Sequence, residues 1–165
     1  MGSKIMRRRR ESGFSLIELM VALSIFAVLA AVAIPGFRAW MPNYRLKSAA
    51  TDLYTNMQMV RSSAIRQGVN SGLTFSAGPD QYQYDDPHDP AVMVTVILAD
   101  DYSSSVEFGG PGGESFTSPI TFNSRGLSNA GYAYLTNTNE TGHYRVGPLT
   151  SGVVRLQKWN GVAWE

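Results

Sequence analysis

The 165-residue chain has no cysteine. Disulfides, thiol nucleophiles and cysteine-held metals are therefore excluded. Histidine is almost as scarce, with only His88 and His143. Asp85-Asp86-Pro87-His88-Asp89 brings ligand-type side chains close together. Its prolines and polarity read as a solvated loop rather than a cation site. His143 falls in an alternating stretch and reads as a surface strand residue. The chain lacks Gly-x-Ser-x-Gly, His-Glu-x-x-His and phosphate-loop patterns. No serine has a histidine or aspartate at an informative spacing, and Asp100-Asp101 reads as the end of a strand. The expectation is a non-enzymatic protein with no metal and no cofactor.

Polar side chains are missing where the chain is most apolar. From residue 14 to 34 only Ser15, Glu18 and Ser24 are polar. As a helix this run would be about 31 Å long, close to the thickness of a bilayer core. The net charge of +1 conceals an asymmetry. Lys4 and Arg7 to Arg10 precede the run, opposed by Glu11 alone. Setting those residues aside leaves nine basic and twelve acidic side chains, a net of −3. A mildly acidic remainder argues against a general nucleic-acid binder. Glu18 is the anomaly, because an ionised carboxylate in hydrocarbon costs at least about 2.5 kcal/mol unless something pairs with it.

A basic cluster followed by an apolar run has three readings. A cleaved secretory signal has a shorter apolar region and a small-residue cleavage site after it. A plain signal anchor, its arginines held in the cytoplasm, explains topology but leaves Glu18 without a role. The third reading accounts for both. Gly13-Phe14-Ser15-Leu16-Ile17-Glu18-Leu19 resembles the processing site of type IV pilins and of the pseudopilins of type II secretion. The resemblance implies a leader, residues 1–13, cut by a prepilin peptidase between Gly13 and Phe14. N-methylation of Phe14 follows, and Glu18 has an assembly role at the fifth mature position. Met6 is an alternative start that would shorten the leader. Staggered helices would place Glu18 beside the Phe14 amine of a neighbour, neutralising both charges and fixing register. Against this stands a Glu18 that simply snorkels to the cytoplasmic headgroups.

Pro35-Gly36 and Pro42 interrupt the helical pattern. They read either as the end of the membrane helix or, by the resemblance, as a kink at Pro35. Leu46, Ala50, Leu53, Met57, Val60 and Ala64 then recur at helical spacing and predict one buried face, with Gly68 as the C-cap. Beyond Gly68 the pattern changes to short alternating runs broken by Gly, Pro and Asn. Strands are predicted at 73–75, 81–84, 93–98, 104–108, 119–122, 132–135, 143–146 and 153–157, with a turn at Asn160-Gly161.

The fold class predicted is α+β: a long amino-terminal helix, half transmembrane and half amphipathic, packed on a mostly antiparallel head, pilin-like. The divisions are 1–13 leader, 14–36 transmembrane and assembly helix, 37–68 amphipathic spine and 69–165 β-rich periplasmic head. Ile120-Thr121-Phe122, Asn123-Ser124-Arg125-Gly126 and Gly152-Val153-Val154-Arg155-Leu156 resemble the GspH/FimT type of minor pseudopilins and minor pilins. The resemblance implies a single-pass inner-membrane subunit, amino terminus cytoplasmic and head periplasmic, that enters a pseudopilus or pilus. Its partners would be other pilin or pseudopilin subunits, the prepilin peptidase and the inner-membrane assembly platform.

Two alternatives come from other classes. One is a DNA-binding minor pilin for uptake in transformation, using Arg155 and Lys158 beside Trp159 and Trp164. Some FimT-type pilins carry Gly-Arg-x-Arg there, but this chain has Val153 in place of the first arginine. An ordinary hairpin with outward charges and core-facing tryptophans is favoured over DNA binding. The weaker alternative is a membrane-anchored periplasmic enzyme.

Overall fold

The apolar run and the amphipathic pattern that follows it call for one long helix with two kinds of surface, and a computed structural model shows that helix. It describes residues 14–89 and 92–165. The chain divides into an amino-terminal unit ending at Ala39 and a carboxy-terminal unit, Trp40–Glu165. Helix α1 spans Leu16–Gln67, passing through positions 35 and 42. The expected interruption at the prolines is therefore not a break in secondary structure. Each proline removes one intrahelical bond, and the turns on either side carry the helix on.

In the amino-terminal unit, Leu16–Ile34 has a mean hydropathy of 2.6 and none of it is buried. It is apolar on all sides, so no single stripe faces a core. In the carboxy-terminal unit the same helix behaves differently. Leu46, Ala50, Leu53, Met57, Val60 and Ala64 are all fully buried, as their spacing predicts. Burying such side chains contributes about 1.5–3 kcal/mol for each of the larger ones. Gly68 closes the helix at φ +69°, a left-handed conformation in which a side chain would be strained.

Among the described residues, eight strands follow. They are β1 (Ser71–Ala77), β2 (Asp80–Asp85), β3 (Met93–Ile97), β4 (Val106–Phe108), β5 (Ile120–Phe122), β6 (Ala133–Asn137), β7 (His143–Pro148) and β8 (Val154–Lys158). They form two four-stranded sheets, ordered β3-β2-β1-β5 and β4-β6-β7-β8, and every pairing is antiparallel. Register sets the core. Leu73 opposes Tyr84 and Phe75 opposes Tyr82 on one sheet, while Ala133 opposes Val146 and Leu135 opposes Tyr144 on the other. All eight side chains are buried. Phe75 of the first sheet lies edge-on to Phe108 of the second at 5.8 Å, and Phe116 stacks on Phe75 at 5.7 Å, so aromatic rings join the two layers.

Three local readings are corrected. Leu98, expected to end a strand, instead begins a one-turn helix, α2 (Leu98–Asp101), and Asp100 and Asp101 lie within it. Leu98 turns inward and is buried, which takes the chain out of the sheet. The strand expected from Ser104 starts at Val106, because Ser103 and Ser104 adopt φ of 55° and 52°. Trp159 and Trp164 do not face the core. Trp164 lies 5.6 Å from Tyr134, whose neighbours Ala133 and Leu135 are the inward residues of β6. Side chains alternate along a strand, so both rings sit on the outer face of the second sheet.

Candidate functional site

The start of α1 carries the residues singled out by sequence. Gly13 and Arg7 to Arg10, which the expected leader would contain, lie outside the described residues. Phe14 is 91% exposed and precedes the helix. Ser15, Leu16, Ile17 and Glu18 make a Ser-x-x-Glu capping box, a signature legible in the sequence but missed. The Ser15 backbone N–H donates to the Glu18 carboxylate at 3.2 Å. The Ile17 N–H reaches the Ser15 hydroxyl at 3.4 Å, and Leu19 N–H closes the first turn on the Ser15 carbonyl at 3.1 Å. Glu18 thus partly satisfies the unpaired donors at its own helix start, where the macrodipole also favours negative charge. Within one subunit, that is what pairs with it. The carboxylate lies within four residues of position 14, where processing would create an amine. Ser24 returns its hydroxyl to the Met20 carbonyl at 2.8 Å, which hides a polar group in the apolar run.

Arg155 and Lys158 are not brought together. They are three residues apart on β8, so the pleat sends them to opposite faces. Lys158 shares its surroundings with Glu140 and Glu165, and its backbone exchanges hydrogen bonds with that of Glu165. The cation stacked on the aromatics is a different one, Arg145. Its guanidinium lies 4.6 Å from the Tyr132 ring and 4.8 Å from the Trp164 ring, and its Nε donates to Gln157 at 3.0 Å. That arrangement fastens the carboxy-terminal hairpin to the sheet and uses the aromatic faces a stacked base would need.

The acidic loop is explained by turn chemistry. The His88 N–H donates to Asp86 Oδ1 at 2.7 Å, an Asx turn that holds the Asp86 carboxyl below its ordinary range. Among the described residues no group of three His, Asp or Glu side chains is placed to hold a metal. His143 is half-buried rather than freely exposed, and its Nδ1 is enclosed.

One part sequence reasoning did not reach is the closure at the end of α1. Arg61 Nε donates to the Gly126 carbonyl at 3.1 Å. Gly152, at φ +78°, packs directly against that same carbonyl, so the two glycine loops noted in the sequence meet over the spine helix.

A helix with an uncovered apolar amino-terminal half, continuing into a half buried against antiparallel sheets, defines the pilin-like α+β class. The family models agree. A family model described as the prokaryotic N-terminal methylation motif matches residues 8–34. A second, described as type II transport protein GspH, matches residues 49–152, more than half of the chain. The chain belongs to this GspH family. Among curated proteins, a fimbrial protein of Pseudomonas aeruginosa is 32% identical over 77 residues, which is 47% of this chain and 48% of that protein. Prepilin peptidase-dependent protein D of Escherichia coli K12 is 46% identical over 44 residues, 27% of each chain. The match to the fimbrial protein thus spans about half of that relative's length. Among solved structures, the minor pseudopilin EpsH from the type 2 secretion system of Vibrio cholerae aligns with a TM-score of 0.49 at 14% identity. That alignment covers 68% of this chain and 95% of that one.

Proposed function

We propose that the chain is a minor, non-enzymatic subunit of a type II secretion pseudopilus or type IV pilus. Prepilin peptidase cuts between Gly13 and Phe14, and Phe14 is methylated. Residues 14–36 hold the subunit in the inner membrane with the amino terminus cytoplasmic and the head, residues 69–165, periplasmic. Polymerisation is driven by α1, bending or opening at Pro35, on the inner-membrane assembly platform and among other pilin or pseudopilin subunits. Glu18 leaves its cap on Ser15 and meets the Phe14 amine of a neighbour.

The observation that carries this reading is the uncovered apolar surface of Leu16–Ile34. Bilayer covers it before assembly, and neighbouring helices cover it afterwards. Glu18→Gln and Glu18→Leu test the mechanism. Glutamine can still cap the helix, as glutamate does in a capping box, whereas leucine cannot. If charge pairing guides docking, both variants insert in the membrane and keep a folded head, yet both are lost from the sheared filament fraction. Normal incorporation of both reduces Glu18 to a headgroup-facing residue, and loss of the leucine variant alone makes the cap the whole role. A deletion strain scored together for exoprotein release, twitching and DNA uptake separates secretion from pilus.

A further inference from the structure

Each sheet ends in two edge strands, and an unpaired edge presents backbone donors and acceptors that can recruit another chain. Three of the four edges are short, charged or occupied. β4 and β5 are three residues each, and β4 carries Glu107. On β5 the Thr121 N–H donates to Asn129 Oδ1 at 2.7 Å, and its carbonyl accepts from the Ser128 hydroxyl at 2.8 Å. β8 carries Arg155 and Lys158, and the Lys158 N–H and carbonyl are taken by the Glu165 backbone.

β3 has none of these devices. Met93-Val94-Thr95-Val96-Ile97 is five residues long, with no charge and no proline. The Val92 carbonyl accepts from the Asp86 N–H at 2.8 Å, in step with the register that sets Tyr84 opposite Val94 and Tyr82 opposite Val96. Bonding direction alternates along an antiparallel ladder, so Val94 and Val96 bond to β2, while Met93 and Thr95 point their N–H and C=O groups away from it. Among the described residues nothing pairs with those outward groups. Met93 and Thr95 are also exposed.

The sequence of the edge says what fits it. Met-Val-Thr-Val-Ile has nearly the same character read from either end, with Thr95 at the centre. A two-fold contact lays one patch on itself and needs such self-complementarity. With the dyad at Thr95, antiparallel pairing sets Thr95 opposite Thr95, Val94 opposite Val96 and Met93 opposite Ile97 of the second copy. The two Thr95 residues then exchange both backbone hydrogen bonds. Thr–Thr and β-branched pairs are favourable cross-strand neighbours, and no charge meets a like charge.

We infer that β3 is a self-pairing edge, through which two copies of the chain join their first sheets into one sheet centred on Thr95. Five residues a side is less than a standard interface, so the pair is weak and forms only as concentration rises. It stands whether or not the chain enters a filament. In a filament-forming subunit it belongs to the unassembled state, because a dyad closes after two copies whereas a filament needs head-to-tail contacts.

The test uses the full chain in a large molar excess of detergent, with self-association followed by sedimentation at rising protein concentration. Thr95→Lys and Thr95→Glu each set like charges opposite one another at the dyad, at a position exposed enough to leave the head folded. Each variant alone should associate about fivefold more weakly than wild type, or weaker still. An equimolar mixture of the two should regain association, because lysine then faces glutamate. Thr95→Pro is a second check, since it removes an N–H that β2 does not use; it should weaken association while circular dichroism shows the fold retained. A wild type that stays monomeric overturns the inference, and one that does so while an added synthetic strand peptide binds assigns the edge to another partner. Association unchanged in both charge variants places the contact elsewhere and overturns it. Loss in both variants without recovery in the mixture shows general disruption rather than pairing at Thr95, and overturns it as well.

Discussion

Gly152 offers a graded test of how the head is closed. Replacement by alanine imposes two separable costs. The first is conformational: at φ +78° a residue with a Cβ is strained by about 1–2 kcal/mol. The second is steric, because the new Cβ would overlap the Gly126 carbonyl oxygen and lie 3.1 Å from Arg61 Nε. Moving that carbonyl away also breaks the bond it accepts from Arg61, and hydrogen bonds to charged groups contribute about 1.5–3 kcal/mol. Together these give about 2.5–5 kcal/mol, a large part of the 5–15 kcal/mol typical of a whole domain. Gly68 and Gly161 are internal controls. Both have positive φ, 69° and 101°, but nothing lies within 4 Å of the added Cβ. Their alanine variants should lose only about 1 kcal/mol, because the stiffer unfolded chain offsets part of the strain. Gly126→Ala should fall between, since its Cβ meets Ile65 Cδ1 at 2.7 Å and that side chain is 47% exposed and can swing aside. The measurement is urea unfolding of a fragment beginning at Trp40, followed by circular dichroism and tryptophan emission. Equal midpoints for Gly152→Ala and Gly68→Ala would refute the argument, because backbone overlap would then add nothing to strain.

Three further outcomes are expected. Intact-mass measurement of membrane-extracted protein should give a chain starting at N-methylated Phe14, with Gly13→Ala slowing cleavage; a dominant species that keeps Arg7 to Arg10 despite active peptidase would defeat the processing scheme. Burial raises the Tyr82 and Tyr102 hydroxyls above their usual range, and Tyr102 also donates to Asp52 at 2.7 Å. Stability from these groups is fully present below about pH 10, where unfolded tyrosine stays neutral, and falls as pH rises further; Tyr82→Phe should flatten that alkaline loss, and an unchanged slope would contradict the burial argument. Duplex DNA should bind the head weakly and in a salt-sensitive manner, and tight binding at physiological salt that Arg155→Ala abolishes would reinstate the DNA-uptake role.

Much of the molecule is determined locally, and that part was legible. The apolar run Leu16–Ile34 specifies a helix whatever follows it, because its backbone hydrogen bonds are internal to the helix. The Leu46-to-Ala64 face repeats at helical spacing, so its burial could be foreseen, as could Gly68 at a left-handed cap. The strands around Phe75, Tyr82 and Val146 announced themselves by alternation. Tertiary structure decided what depends on distant neighbours. Leu98 belongs to an apolar run that reads as strand, yet a buried niche beside the sheets draws it into α2. Trp159 and Trp164 looked like core residues by hydrophobicity, but Arg145, from a strand paired only in the fold, gives Trp164 a partner on the outer face, and Trp159 packs on Trp164. Gly126 and Gly152 read as two unrelated turns until folding brought them together over Arg61, because a contact between residues far apart in the chain leaves no period in the sequence.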